Sequence, residues 1–201
     1  MIQEIIKQNH FTLLRRREIP EVEGTLWEMA HEKSGAQLCW LQRADENMTF
    51  AIAFRTIPSD STGVFHILEH SVLNGSDKYP VKEPFVELLK SSLQTFLNAM
   101  TYPDKTIYPV SSRNRQDFHN LMSVYLDAVF HPNAVKNSNV FRQEGWRLEF
   151  DEDGQPMFQG VVYNEMKGAY SNVARMADRA MMQGLFPNTC YSAESGGAPR
   201  H

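Results

Sequence analysis

The sequence has few cysteines, no long apolar run and no excess of basic residues, and each absence excludes a class of protein. The two cysteines, Cys39 and Cys190, form no CxxC pair; they cannot make a disulfide framework and are typical of a reducing compartment. No apolar run reaches the roughly 18 residues that a membrane-spanning helix needs, so we expect no membrane partner. The formal net charge of -4 argues against nucleic acid as a partner.

The overall composition is that of a folded protein. The 201 residues are 42% hydrophobic and 22% charged, which indicates a globular chain slightly longer than one average domain. Residues 1–23 do not resemble a signal peptide or a clear transit peptide, because the basic run Arg15–Arg17 follows the apolar residues and glutamates dilute its charge. We interpret them as a lead-in arm or strand. Cytoplasmic localisation is the default expectation, and an organellar matrix is the alternative for a eukaryotic chain.

Hydrophobic patterning predicts strands first and helices later. Thr25–Met29 and Leu38–Leu41 are predicted to form a hairpin, and the continuous apolar run Phe50–Phe54 predicts a strand buried on both faces. A second hairpin is expected over residues 95–110. Helices are predicted at Val64–Leu73, Pro84–Ser92, Arg115–Phe130 and Val161–Leu185, with the polar cluster Ser59–Thr62 as N-cap of the first, and residues 190–201 have loop composition. This order indicates an α+β fold with a mainly antiparallel sheet.

The first of these helices carries a candidate metal site. It contains the pattern His-x-x-Glu-His at His66, Glu69 and His70. At 3.6 residues per turn the two histidines share a face, where two imidazoles can bind one metal ion, and Glu69 lies beside that face. This is the inverzincin arrangement. The alternative is a helix with two hydrogen-bonded histidines and a solvated glutamate.

A catalytic zinc ion needs a third protein ligand and keeps its fourth position open. The long helix predicted towards the C-terminus offers Glu165, which stands among apolar residues near the helix start. A carboxylate in a first helical turn is also favourable without any metal. From the residues alone, both interpretations of Glu165 remain open.

Four stretches of the sequence resemble the pitrilysin and insulin-degrading-enzyme family of zinc metallopeptidases, in particular its presequence-protease branch. These stretches have the order they have in that branch and are Val64–Pro80, Ser92–Ser112, Phe141–Glu149 and Gly160–Asn172. The resemblance implies one zinc ion per chain, with His66, His70 and Glu165 as its ligands and Glu69 as the catalytic base. It also implies an α/β roll, an antiparallel sheet flanked by helices, incomplete at its C-terminus.

The resemblance further implies how substrate binds. Members of the family bind a peptide as an added strand along the sheet edge, where Asn98 and Ala99 would contact its backbone. Recognition through main-chain hydrogen bonds depends little on side chains, so we expect extended, unstructured peptides as partners. Asparagine is uncommon in β-strands, so from its residue type alone Asn98 marks a bulge or a strand end.

The resemblance also implies what this chain does not contain. It makes residues 1–201 the N-terminal part of the zinc-binding catalytic domain, with the family's remaining domains as missing partners of the same polypeptide. We therefore expect a zinc endopeptidase of short peptides whose fragment has little activity alone; the alternative is a non-catalytic scaffold subunit. Some relatives carry an acidic residue seven positions before the glutamate ligand, where this chain has Phe158. We expect support for the ligands to come from elsewhere, with the segment Arg142–Trp146 hydrogen-bonding behind the site.

Overall fold

The computed structural model of the protein describes residues 2–82 and 84–199. Predictions that include Met1, Glu83, Arg200 or His201 therefore extend outside the described residues at those positions. The chain divides into two compact units, Met1–Glu46 and Asn47–His201. We predicted one domain over residues 1–201, with residues 1–23 as its lead-in arm or strand; the first compact unit continues beyond residue 23 to Glu46.

The first unit is a three-stranded antiparallel sheet with one short helix. Its elements are α1 Ile2–Gln8, β1 Phe11–Ile19, β2 Gly24–His31 and β3 Gln37–Arg43, and the strand order is β1-β2-β3. The pairing of β2 with β3 confirms the first predicted hairpin. The lead-in does contain a strand, β1, but it opens with a helix that we did not predict. That helix is only seven residues long, and it is stabilised because Ile6 is buried with Trp27 and Met29.

In the described part of the second unit there are six α-helices and six strands. The helices are α2 Val64–Val72, α3 Pro84–Ser91, α4 Arg115–Phe130, α5 Ser138–Glu144, α6 Val161–Ala169 and α7 Val173–Leu185. The strands are β4 Met48–Phe54, β5 Gln94–Leu97, β6 Met100–Thr101, β7 Thr106–Ser112, β8 Arg147–Phe150 and β9 Pro156–Gln159. Helices beside antiparallel strands confirm the predicted α+β class.

The main sheet of this unit has β7 at its centre. The strand order is β4-β7-β5, β6 also pairs with β7, and every pairing is antiparallel. The core lies between this sheet and α4, where Val110 of β7 and Leu121 and Tyr125 of α4 are fully inaccessible to solvent. Val72 of α2 joins the same core. The helix that carries the histidines is therefore anchored by one end to the best-packed part of the molecule.

The prediction that Phe50–Phe54 is buried on both faces is wrong. Phe50, Ile52 and Phe54 pack against the core, whereas Ala51 and Ala53 are exposed. A continuous apolar run suggested two buried faces, but the large side chains still alternate with a period of two. Alanine is small enough to be exposed at little cost, so β4 is an ordinary half-buried strand.

The single long helix predicted over Val161–Leu185 is also wrong, because the structure breaks it into α6 and α7. The break falls at Ser171 and Asn172, and the Asn172 side chain accepts a hydrogen bond from the backbone N–H of Arg175. Asparagine is a strong N-cap, so Asn172 starts a new helix where the apolar pattern suggested continuation. Across the described residues, we find no helix with both the length and the apolarity to cross a membrane.

The core between α4 and the sheet gives a stability prediction. Replacing Leu121, which is fully buried, by alanine should lower the free energy of unfolding by about 2–5 kcal/mol through lost burial and the cavity left behind. The matched control is Leu93→Ala, because Leu93 is 65% exposed and should lose less than about 1 kcal/mol. Urea denaturation followed by circular dichroism measures both, and equal losses would contradict the assignment of the core.

Candidate metal centre

Helix α2 presents both motif histidines on one side. The rings of His66 and His70 lie with their centroids 4.9 Å apart, as expected for residues one helical turn apart. The predicted N-cap within Ser59–Thr62 is wrong. Gly63 is the N-cap, with a φ of +74° and no side-chain capping bond.

Glu165 reaches the two histidines from α6. One oxygen of its carboxylate lies 3.7 Å from the Nε2 atom of His66 and 3.7 Å from the Nε2 atom of His70. The three ligand atoms all lie within 4.8 Å of one another. The structure therefore brings together the three residues that the sequence analysis named as metal ligands.

This donor set fits a divalent transition metal. Two imidazole nitrogens and one carboxylate oxygen are the ligand types of catalytic zinc sites. Zinc–ligand bonds of about 2.0–2.1 Å in a tetrahedron place ligand atoms roughly 3.4 Å apart, close to the 3.7 Å observed between the glutamate oxygen and each imidazole. The three ligand atoms, all within 4.8 Å of one another, would move closer together around a bound ion.

A close backbone approach places α6 beside the end of α5. Gly160 precedes α6, and a Cβ atom added to it would lie 2.0 Å from the carbonyl oxygen of Gly145, which follows α5. Only glycine can occupy such a position. The contact fixes where α6 begins, and Glu165 follows the first helical residue, Val161, by about one turn.

His66 is oriented by a backbone carbonyl that sequence reasoning did not anticipate. Its Nδ1 atom lies 2.8 Å from the carbonyl oxygen of Gly196, and the residue is 8% exposed. A carbonyl oxygen can only accept a hydrogen bond, so Nδ1 carries the proton and Nε2 offers its lone pair towards the ligand cluster. Residues 190–201 were predicted as loop, and the sequence holds no local signal that a glycine carbonyl returns to the histidine helix.

His70 is oriented by Glu144, a buried carboxylate at the end of α5. The Nδ1 atom of His70 lies 3.3 Å from one oxygen of Glu144. The other oxygen accepts hydrogen bonds from the side-chain amides of Asn74, at 2.7 Å, and Gln143, at 2.9 Å. The expected hydrogen-bonding role of the segment around Glu144 is confirmed. It supplies the support that Phe158 cannot give.

Glu69 lies apart from the three ligand atoms. It is 6% exposed, and its carboxylate accepts a hydrogen bond of 2.5 Å from the hydroxyl of Thr101 on β6. The threonine therefore holds the carboxylate on the sheet side of the helix. Sequence reasoning missed Thr101, because a β-branched residue in a predicted strand already has a structural explanation.

A cavity of about 800 Å³ contains the ligand cluster and the sheet edge. Asn98 and Ala99, between β5 and β6, line it together with the histidines and Glu165. The Asn98 side-chain oxygen accepts a hydrogen bond from the backbone N–H of Ala99, and its backbone N–H donates to the Pro109 carbonyl. Asn98 thus interrupts the strand between β5 and β6, as its residue type predicted. The interruption lies at the wall of the cavity.

Opposing effects determine the charge of His70. Burial lowers its pKa, but the hydrogen bond with Glu144 and the charges of Glu69 and Glu165 outweigh burial and leave the pKa raised. In the metal-free protein, the protonated form therefore contributes stability below the ordinary pKa of about 6.5. That contribution is lost as the pH rises through the higher pKa of the folded state. Metal binding needs the neutral ring, so metal affinity should increase over the same pH range.

We expect NMR titration of the metal-free protein to give His70 a pKa above 6.5, and Glu144→Gln to lower it. The amide keeps the shape of the side chain but removes the negative charge that favours the imidazolium. Glu149→Gln is the control, because Glu149 pairs with Arg147 on β8; it should leave His70 unchanged. A His70 pKa that is the same in the Glu144 variant would contradict this account.

Comparisons with known proteins agree with the fold. The pattern described as Insulinase (Peptidase family M16) matches residues 55–169. The chain is 56% identical over 191 residues to Protein HypA of Clostridium perfringens (strain 13 / Type A), covering 94% of this chain and 20% of that protein. It is 54% identical over 171 residues to Presequence protease 1, chloroplastic/mitochondrial, of Arabidopsis thaliana, covering 85% of this chain and 16% of that protein.

A mammalian relative and a solved structure extend the comparison. The chain is 47% identical over 197 residues to the mitochondrial presequence protease of Mus musculus, covering 96% of this chain and 19% of that protein. The crystal structure of pitrilysin superposes with a TM-score of 0.66 at 18% identity over 94% of this chain and 19% of that one, which confirms the predicted α/β roll. The chain thus spans about a fifth of the length of these relatives. Since the family pattern covers more than half of the chain, the protein belongs to the insulinase family, peptidase family M16, as a presequence-protease-like member.

Proposed function

We propose that this chain carries the zinc centre of an endopeptidase that hydrolyses short, unstructured peptides. One observation supports the proposal above all: His66, His70 and Glu165, from two helices far apart in sequence, direct three metal-ligating atoms to one point. Membership of a metallopeptidase family supports it as well. We propose that these three residues bind one zinc ion per chain and that Glu69 is the catalytic base.

The positions of the side chains are suited to metal-assisted hydrolysis. Bound zinc supplies a Lewis acid that brings the pKa of water towards neutrality. Gly196 and Glu144 accept hydrogen bonds from the Nδ1 atoms of His66 and His70, so each ring, when neutral, offers its Nε2 lone pair to the metal. Glu69, held off the ligand cluster by Thr101, removes a proton from the attacking water and delivers it to the leaving amine.

We propose that the peptide lies extended along β5 and β6, with Asn98 and Ala99 contacting its backbone. Both residues line the cavity that contains the ligand cluster, and β5 and β6 pair with β7 on one side only. A peptide that adds to this edge gains affinity from main-chain hydrogen bonds. Such binding demands an unfolded substrate and depends little on its side chains.

The size of the relatives bears on how this chain acts. It spans about a fifth of their length. We therefore propose that peptide cleavage requires further domains of the same polypeptide as partners. Several relatives are named as mitochondrial or chloroplastic proteases, which favours an organellar matrix if the source is eukaryotic. Our default expectation of a cytoplasmic protein remains a proposal.

Replacing Glu69 by glutamine tests the proposed base. We expect the variant to retain zinc, measured by mass spectrometry of the purified protein, because Glu69 is not among the ligand atoms. We expect peptide cleavage by the complete polypeptide to fall by at least about 10²-fold, because the amide cannot accept the proton. Glu149→Gln serves as the control and should change neither quantity. Loss of zinc from the Glu69 variant would contradict its assignment as base.

Two measurements on the 201-residue chain, its zinc content and its activity, distinguish the proposed endopeptidase from a scaffold subunit. We expect close to one zinc per chain and loss of most of it in Glu165→Ala, since two imidazoles alone make an incomplete site. We also expect little cleavage of a flexible fluorogenic peptide, because this chain spans only about a fifth of the length of its relatives. Absence of zinc from the folded chain would favour the scaffold, and rapid cleavage would contradict the expected inactivity of the fragment.

A further inference from the structure

A short loop near the end of the described chain returns to the start of the histidine helix. This loop, Glu194–Gly197, is bracketed by two hydrogen bonds to Ser61, which lies just before α2. The backbone N–H of Glu194 donates to the Ser61 hydroxyl at 3.1 Å, and the backbone N–H of Ala198 donates to the Ser61 carbonyl at 2.8 Å. The loop is thus attached at both ends to the segment that precedes the metal ligands.

Two glycines allow the loop to contact α2 directly. Gly63, the N-cap of α2, and Gly197 both have positive φ, at +74° and +98°. A Cβ atom on Gly63 would lie 2.6 Å from the Cα atom of Gly197, and a Cβ atom on Gly197 would lie 3.0 Å from the Cα atom of Gly63. Side chains at either position would separate the two backbones. This contact sets the distance from the loop to His66.

The loop is also restrained by a charged pair that the proposed chemistry does not use. The Glu194 carboxylate lies 3.6 Å from the guanidinium of Arg179 on α7, and these side chains are only 12% and 14% exposed. The same carboxylate accepts hydrogen bonds from the Tyr170 hydroxyl at 3.4 Å and from the backbone N–H of Gly196 at 3.3 Å. Arg179 also donates to the carbonyl of Ser192, just before the loop.

We propose that Arg179 and Glu194 are positioning residues that set the zinc affinity of the site through the Gly196 carbonyl. Arg179 fixes the Glu194 carboxylate, which fixes Gly196, whose carbonyl holds His66 with Nδ1 protonated and Nε2 available for the metal. Removing the Arg179 guanidinium leaves the buried Glu194 carboxylate with the half-exposed Arg175, at 3.9 Å, as its only cation among the described residues, so we expect the loop to shift to hydrate it. Loss of such an outer hydrogen bond lowers metal affinity by about 10–100-fold. The inference rests on the proposed zinc centre.

Zinc competition against a fluorescent chelator tests the inference on the full chain. Arg179→Leu should bind zinc about 10–100-fold more weakly than the unsubstituted protein, and Arg179→Lys should recover part of the loss because it restores a cation beside Glu194. Arg175→Leu is the matched control. Arg175 lies on the same helix but is 50% exposed and 3.9 Å from the same carboxylate, so its removal should change the affinity less than about threefold.

The tautomer of His66 gives a second readout that a general loss of stability would not change. Long-range ¹H–¹⁵N spectra of the metal-free chain should show His66 protonated at Nδ1, and Arg179→Leu should populate the other tautomer. If Arg179→Leu does not fold, Glu194→Gln replaces it, because glutamine keeps the side-chain shape. This variant must show the same loss of zinc affinity and the same mixture of His66 tautomers. Unchanged zinc affinity and an unchanged tautomer in a folded variant would overturn the inference. Failure of the unsubstituted chain to bind zinc would instead reject the proposed function.

Discussion

Everything in this structure that bears on chemistry depends on the convergence of two imidazoles and one carboxylate contributed by separate helices. His66 and His70 share a face of α2 by helical geometry alone, but Glu165 belongs to α6 and reaches them only if the two helices are held in register. The register comes from backbone contacts, in which the chain before α6 lies against Gly145 and the N-terminus of α2 lies against Gly197. Close approach at glycine restrains the positions of both helices, in addition to the packing of Val72 of α2 into the core.

The carboxylates around the site are distinguished by their partners more than by their distance from it. Glu69 is bound by a hydroxyl, Glu144 by two amides and an imidazole, and Glu194 by a guanidinium and a phenol. Among the described contacts of Glu165, those of its carboxylate are with the two imidazoles, and its side chain is 54% exposed. The environment therefore leaves the Glu165 carboxylate facing the two imidazoles and keeps the other carboxylates in place as hydrogen-bond acceptors. Burial and hydrogen bonding act here as they do in other sites where chemically identical groups have different roles.

The parts of the site that follow a periodic rule could be predicted from the sequence, and those that depend on backbone atoms could not. The spacing of His66 and His70 predicts their common face, and a full 16-residue apolar pattern predicts α4 with its observed limits. Glu165 had a second explanation as a first-turn carboxylate, so the resemblance to known peptidases was needed to select it. The Gly196 carbonyl and the Thr101 hydroxyl are invisible to such reasoning, because neither residue type signals a distant partner. The break before α7 was missed for a related reason: an N-cap asparagine outweighed an apolar pattern that continued across it.

The two histidines also differ in the nature of their support, and this difference has a consequence for metal exchange. His70 is held by a charged carboxylate, which favours the imidazolium and so competes with the metal for the ring at low pH. His66 is held by a neutral carbonyl, which selects the tautomer without adding a full negative charge. Acidification should therefore weaken binding of the proposed metal at His70, because the proton and the metal compete for the same ring.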